Sequence, residues 1–247
     1  FFFDEWILGS YIQKFFPLLL FVLFLDLTIK KNFYLKLIFI VCSYLIVFFS
    51  GERAAFFLLS FYLVIISIPL LIINKKINKF LYFTIPIVLL LFFLSPVKDR
   101  VFLLNSDLNF KDIIIKFYKS NYNLYFKTSI NIFSDNMFFG SGLKTYRVLC
   151  KDYYETDPIK SCSTHPHNFY FQVLAECGLV GITFLLISFL YLIINYIRLL
   201  TRSKEYIRKN FHKVLVLCGL IVFLWPIATT GSFFNNFISI ILFFNLG

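Results

Sequence analysis

The sequence predicts an all-α fold: a polytopic transmembrane helix bundle with a large, mostly helical periplasmic loop. Three observations point there. Hydrophobic residues make up 60% of the 247 residues, and 36 of them are Phe. With a mean hydropathy of +0.81, the chain carries more apolar surface than a soluble core can bury. Apolar runs of membrane-crossing length also alternate with short loops. Finally, every second short loop is rich in Lys and Arg, as the positive-inside rule expects. The net charge of +11 follows that distribution, which argues against a nucleic-acid footprint.

The first ten residues form a short loop carrying Asp4 and Glu5. Residues 11–29 read as span one, with Asp26 near its inner end. Lys30, Lys31 and Lys36 follow. Span two is expected over 33–49, closed by Ser50-Gly51-Glu52-Arg53, and span three over 54–73. Lys75, Lys76 and Lys79 precede span four, at 80–94. Residues 95–168 are read as a periplasmic loop inserted between spans, and 169–197 as span five. Residues 198–213 hold six basic residues and one acid. Span six is expected over 214–228, followed by a polar turn at 229–236 and a last apolar run. The loops at 30–36, 74–79 and 198–213 are therefore cytoplasmic, and the opposite ends face the periplasm or the cell exterior. The long loop has ten Lys and Arg against seven acids, but loops beyond about 60 residues translocate regardless of charge. The chain starts Phe-Phe-Phe and ends in an apolar run, so residues 1–247 read as part of one transmembrane domain, a fragment cut at both ends.

Inside the long loop, 112–124 and 125–138 have apolar, often aromatic, residues at helical spacing. They read as helices lying on the membrane surface, ahead of the Phe139-Gly140-Ser141-Gly142 turn. The chemistry concentrates in Cys162–Gly178, CSTHPHNFYFQVLAECG, which contains two of the chain's three histidines. Pro166 favours a helix start and biases His165 away from α geometry. His167 is thus expected in a first helical turn, where free N–H groups and the dipole bind anions and keep imidazole neutral. A neutral histidine beside an anion site is a general-base arrangement. His165 would cap or orient. A metal pair and a purely structural pair remain alternatives, although a spacing of two without a third ligand is poor for zinc. Asn168, Gln172 and Glu176 continue as a polar line at spacings of four.

Arg53 stands where a span meets the outer face. It reads either as a snorkelling residue paired with Glu52 or as a phosphate ligand. Arg147 is a second phosphate candidate, or a solvated loop residue. Cys150 and Cys162 would be joined as a disulfide in an oxidising compartment, worth about 3 kcal/mol in the chain-entropy model; free thiols are the alternative. That bridge would hold Arg147 near the histidines. Asp4 and Glu5 are candidates for acceptor-sugar binding, or plain loop acids. The five cysteines show no CxxC spacing.

Five pieces together resemble one family: FFFDEWILGSYI, SGERAAFFLL, FSDNMFFGSGLKTYRVLC, CSTHPHNFYFQVLAECGLVG and GSFFNN. The chain looks like the C-terminal half of an O-antigen ligase-related membrane protein, a superfamily of O-antigen ligases and polymerases. The resemblance implies about a dozen transmembrane helices in the bacterial inner membrane, with the active face periplasmic. It implies glycan transfer in lipopolysaccharide or polysaccharide biosynthesis, from undecaprenyl diphosphate to an acceptor hydroxyl on a lipid or glycan, by a glycosyltransferase without metal or nucleotide cofactor. It matches His167 to the family's base and Arg53 to its diphosphate ligand. A second family arginine falls near Asn123, so Arg147 or Lys127 takes its place. The residues support this separately. Nucleotide sugars are absent from the periplasm, and a lipid-borne diphosphate would need cations and a helix start at the membrane surface. The rival within the family is a polymerase. The rival from another class is a transporter, which would carry ionisable residues and broken helices near the midplane.

Overall fold

A computed structural model describes residues 8–25, 33–73, 118, 120–154 and 158–246. Among them all regular structure is helical. In order the helices are α1 Leu8–Leu25, α2 Phe33–Phe49, α3 Arg53–Ile73, α4 Asn121–Asp135, α5 Tyr146–Leu149, α6 Pro158–Ser161, α7 Phe169–Leu200, α8 Lys204–Lys209, α9 Phe211–Phe223 and α10 Asn236–Leu246. Of these, α3 and α7 are long and apolar enough to cross a membrane. Expected span four, the loop at 74–79, Asp4, Glu5 and Asp26 lie outside the described residues.

The described residues fall into two compact units. One holds the residues up to 73 together with Leu192–Phe223; the other holds residues 118–191 and Leu224–Phe243. In the first unit α1 packs on α2, α3 and α9. Its core is aromatic: the fully buried Phe16 stacks on Phe39 at 5.4 Å and meets Tyr62 edge-on at 5.6 Å. The Tyr62 hydroxyl donates to the Leu215 carbonyl at 3.2 Å, satisfying the one polar atom of a fully buried ring. Gly51, at φ +72°, makes the turn between α2 and α3. That turn sends Glu52 to the start of α1, where its carboxylate accepts from the backbone N–H groups of Gly9 and Ser10 and from the Ser10 hydroxyl. A carboxylate there satisfies orphan donors and complements the helix dipole. Glu52 is thereby engaged with α1, and Arg53 is the exposed first residue of α3.

The second unit is built around the first half of α7. Ser120 caps α4, its side chain accepting from the Asn123 N–H. The second helix expected in this loop, over 125–138, is found as Asn121–Asp135, starting four residues earlier at the Ser120 cap; most of the first, expected over 112–124, lies outside the described residues. Ile132, Tyr146, Cys150 and Ala175 are fully buried and form the core, with Leu149, Tyr153 and Cys162 packed against it. Cys150 and Cys162 are joined as a disulfide with Cα atoms 5.1 Å apart. Span six ends earlier than expected, at Phe223 rather than 228. The carbonyls it frees are taken by side chains of α7 and its cap: Leu224 by the Tyr170 hydroxyl at 2.7 Å, and Pro226 and Ala228 by the Asn168 amide at 2.7 and 3.2 Å.

Candidate functional site

The histidine loop enters α7 later than the sequence suggests. The helix starts at Phe169, and Asn168 is its cap, accepting from Tyr170 N–H at 2.9 Å and Phe171 N–H at 3.3 Å. His167 therefore precedes the helix instead of sitting in its first turn. The reason is competition for donors: an Asn side chain satisfies first-turn N–H groups better than a helical His167 could. Two of the donors expected to bind an anion are thus occupied by Asn168.

His167 adopts φ +57°, a conformation uncommon outside glycine. Such a residue persists only where its surroundings hold it, at about 1–3 kcal/mol of strain, and such residues cluster at functional sites. The hold is visible. The His167 carbonyl accepts from Thr230 N–H at 2.8 Å. Its ring packs against Tyr125 at 5.6 Å, Tyr122 at 5.8 Å and His165 at 4.2 Å. Ser163 Oγ lies 3.3 Å from His167 Nε2, and Thr164 Oγ1 lies 2.9 Å from His165 Nδ1.

This environment sets the protonation state. Burial pushes the His167 pKa below its usual 6.5. His165 falls further, to about 4, first through burial and then through the charge of His167; the Thr230 backbone pulls it the other way, and Arg147 adds to the lowering. Both rings are neutral at pH 7. Arg147, exposed in α5, is thus close enough for its charge to act on His165. Among the described residues no three His, Cys, Asp or Glu side chains gather as a metal would need.

The polar line on α7 acts as a set of clamps. Asn168 holds 226–228, as above. Gln172, almost fully buried, accepts from Phe233 N–H at 2.8 Å and donates to Ser232 Oγ at 3.0 Å and to Glu176 Oε2 at 3.2 Å. Glu176 accepts from Lys144 N–H at 2.9 Å and Tyr146 N–H at 3.1 Å, so its carboxylate seats α5 and with it Arg147. The oxygens of Asn168 and Glu176 are therefore engaged by this chain's own donors.

At Gly178 the helix breaks, with φ +65° and ψ −157°. The turn after α4 fills the break from both sides. Ser141 and Gly142 donate to the carbonyls of Ala175 and Glu176, both at 3.0 Å. Leu179 and Val180 donate to those of Met137 and Phe138, at 2.7 and 3.2 Å. Orphan groups of two helix ends are satisfied by one turn.

Of the expected site residues, the second unit brings together His165, His167, Asn168, Glu176, Arg147 and the Cys150–Cys162 bridge. Arg53 belongs to the first unit. Tyr122, Tyr125 and Ser163 were not legible as site residues. The tyrosines' signal is a pair three apart on an amphipathic helix, which serves a plain surface helix equally well, and Ser163 carries no signal of its own within the histidine segment.

No curated protein and no solved structure matches the chain. A family model described as O-antigen ligase matches residues 37–186. The match covers more than half of the chain, which therefore belongs to the O-antigen ligase family, a group of membrane-associated, glycan-processing enzymes.

Proposed function

We propose that this protein transfers a glycan from a polyprenyl diphosphate carrier to an acceptor hydroxyl at the outer face of the inner membrane, with His167 as general base. The observation that carries the reading is His167 itself. A strained, half-buried, neutral imidazole is held by aromatic rings at the entry to an apolar helix. A sugar or lipid hydroxyl is a poor nucleophile near neutral pH, and a positioned base contributes typically ~10²–10⁴-fold. As the acceptor oxygen attacks the anomeric carbon, the bond to the diphosphate breaks, His167 takes the hydroxyl proton and the lipid diphosphate departs as an anion. Cations stabilise that departing charge. Arg53, exposed at the start of α3, and Arg147, seated by Glu176, are the proposed ligands. His165 orients its neighbour, and Asn168 and Glu176 hold the loops in place. Asp4 and Glu5 remain the proposed acceptor-binding acids.

The test is transfer by the purified full-length protein. His167→Ala should lower turnover ~10²–10⁴-fold with donor binding kept, and His165→Ala should do less. Full turnover by His167→Ala would overturn the assignment. The pH profile adds a second readout. A histidine with a lowered pKa stays neutral as pH falls past 6.5 and is lost as a base only below its own folded pKa, so the acid limb of kcat/KM should have its midpoint below 6.5. A midpoint above 6.5 would show that another group controls the limb. Arg53→Lys keeps charge but not the guanidinium fork, and should lose most activity while the protein still inserts.

A further inference from the structure

The turn between α4 and α5 carries an unusual surface. Met137, Phe138, Phe139 and Leu143 are 50, 69, 79 and 62% exposed, although exposed apolar patches on a surface turn generally mark an interaction site. Three observations say what covers them. First, the turn is bonded to the start of an apolar helix, through the Leu179 and Val180 N–H groups. Second, residues 179–197 contain no charged side chain and end at Arg198. At roughly 1.5 Å per residue they span about 28 Å, close to the hydrocarbon thickness of about 30 Å. Third, that helix exposes Val180, Phe184, Ile187 and Tyr191, so the apolar surface of the turn continues that of the helix.

We propose that the 137–143 turn is a membrane-interface anchor that inserts Phe138 and Phe139 into the outer leaflet, at the depth where the apolar stretch of α7 begins. This rests on the reading that α7 crosses the membrane. Entry is made cheaper because much of its backbone is already bonded: the Met137 and Phe138 carbonyls accept and the Ser141 and Gly142 N–H groups donate across the helix break, and the Gly140 N–H donates to the Asn136 carbonyl. The exposed cations Lys144 and Arg147 follow immediately, placed by this insertion at the level of lipid phosphates. The anchor therefore sets the height of α5 and the Cys150–Cys162 bridge against the phosphate plane, where a lipid-borne diphosphate lies. A second copy or another protein would cover the same side chains, but neither accounts for their continuity with a helix of bilayer length.

The experiment places 4-benzoyl-phenylalanine at position 139 of the full-length protein, in native membranes, and identifies the photo-adducts by mass spectrometry. Position 184 is the lipid-facing control and position 154, in the polar loop, the aqueous one. Phospholipid adducts at 139 and 184 but not 154 are expected. Protein adducts at 139, or none where 184 reacts with lipid, would overturn the anchor; no lipid adduct at 184 would overturn the spanning reading beneath it. A Phe138→Ser, Phe139→Ser double variant should raise KM for the lipid-linked donor several-fold with kcat unchanged, and an unchanged KM would count against a role in donor access. Lipid adducts at 139 in a protein that transfers no glycan would leave the anchor standing and sink the proposed reaction alone.

Discussion

The two halves of α7 share a backbone conformation and almost nothing else. In residues 169–177, Phe169, Gln172, Val173, Ala175 and Glu176 are buried, and two of these five are polar. In residues 179–200, Leu185 and Tyr196 are the buried positions among many exposed apolar ones. The first half is specified residue by residue. Each of its buried polar groups is bonded to a segment distant in sequence, and an unsatisfied one would cost about 1–3 kcal/mol. The second half is mostly apolar composition and length, with one such fixed point, the Tyr196 hydroxyl donating to the Ile65 carbonyl at 2.6 Å. In a bilayer, lipid tails are as apolar as Leu, so exposure there carries no penalty. Gly178 separates the two regimes.

The junction is the place to break the comparison most severely. A Cβ on Gly178 would stand 2.5 Å from the Phe138 carbonyl oxygen and 2.6 Å from both Gly140 N and the Met137 carbonyl oxygen, all backbone atoms. Its φ/ψ pair also lies in a region essentially confined to glycine. Gly178→Ala should therefore add a backbone cost of about 1–3 kcal/mol to an overpacking cost of about 1–3 kcal/mol. Thermal unfolding in detergent should show a large drop in Tm or failure to accumulate. A melting temperature within a degree of the parent would mean that the turn and the helix break are not rigidly joined.

Glu176→Gln is a milder cut within the first half. The amide keeps the size but loses the charge, and one side of it presents N–H to a backbone donor. With Lys144 and Tyr146 N–H groups on the carboxylate, the loss should be about 1.5–3 kcal/mol, the range for hydrogen bonds to charged groups. Because Glu176 seats α5, donor affinity should fall along with stability. Unchanged values of both would remove Glu176 from the support of Arg147.

The sequence made the apolar spans legible and left the joints obscure. Span two was read as 33–49 and is found there, and span three differs by one residue, because length and hydropathy decide both. Span one, read from residue 11, is already helical at Leu8, the first described residue there, and its Gly9 and Ser10 N–H groups are taken by Glu52; no local pattern announces a partner forty residues away. The polar line Asn168, Gln172 and Glu176 was visible, and its spacing is real, but what each side chain grips is a matter of tertiary structure. Gly178 was the hardest. A glycine in a helical pattern is equally compatible with a tolerated helix residue and a break, and the choice depends on a turn forty residues upstream. His167 was expected in a first helical turn because Pro166 favours a helix start. It precedes the helix instead, because the Asn168 side-chain acceptor takes the first-turn N–H groups and starts the helix at Phe169.

The smallest expected effect lies in the second half. Phe184 is 75% exposed on α7. If lipid covers it, Phe184→Leu exchanges one apolar surface for another against hydrocarbon, with no cavity and no broken hydrogen bond. The change in stability should stay within about 0.5 kcal/mol, as for substitutions that touch no packed feature. The same truncation inside a packed core would cost more, because neighbours relax only partly around the lost volume. Melting of Phe184→Leu in nanodiscs, beside the parent, measures the difference. A loss of 2 kcal/mol or more would be of the size seen for cavities in packed cores. It would place this face of α7 against protein, and the second half would then be specified by packing as the first half is by hydrogen bonds.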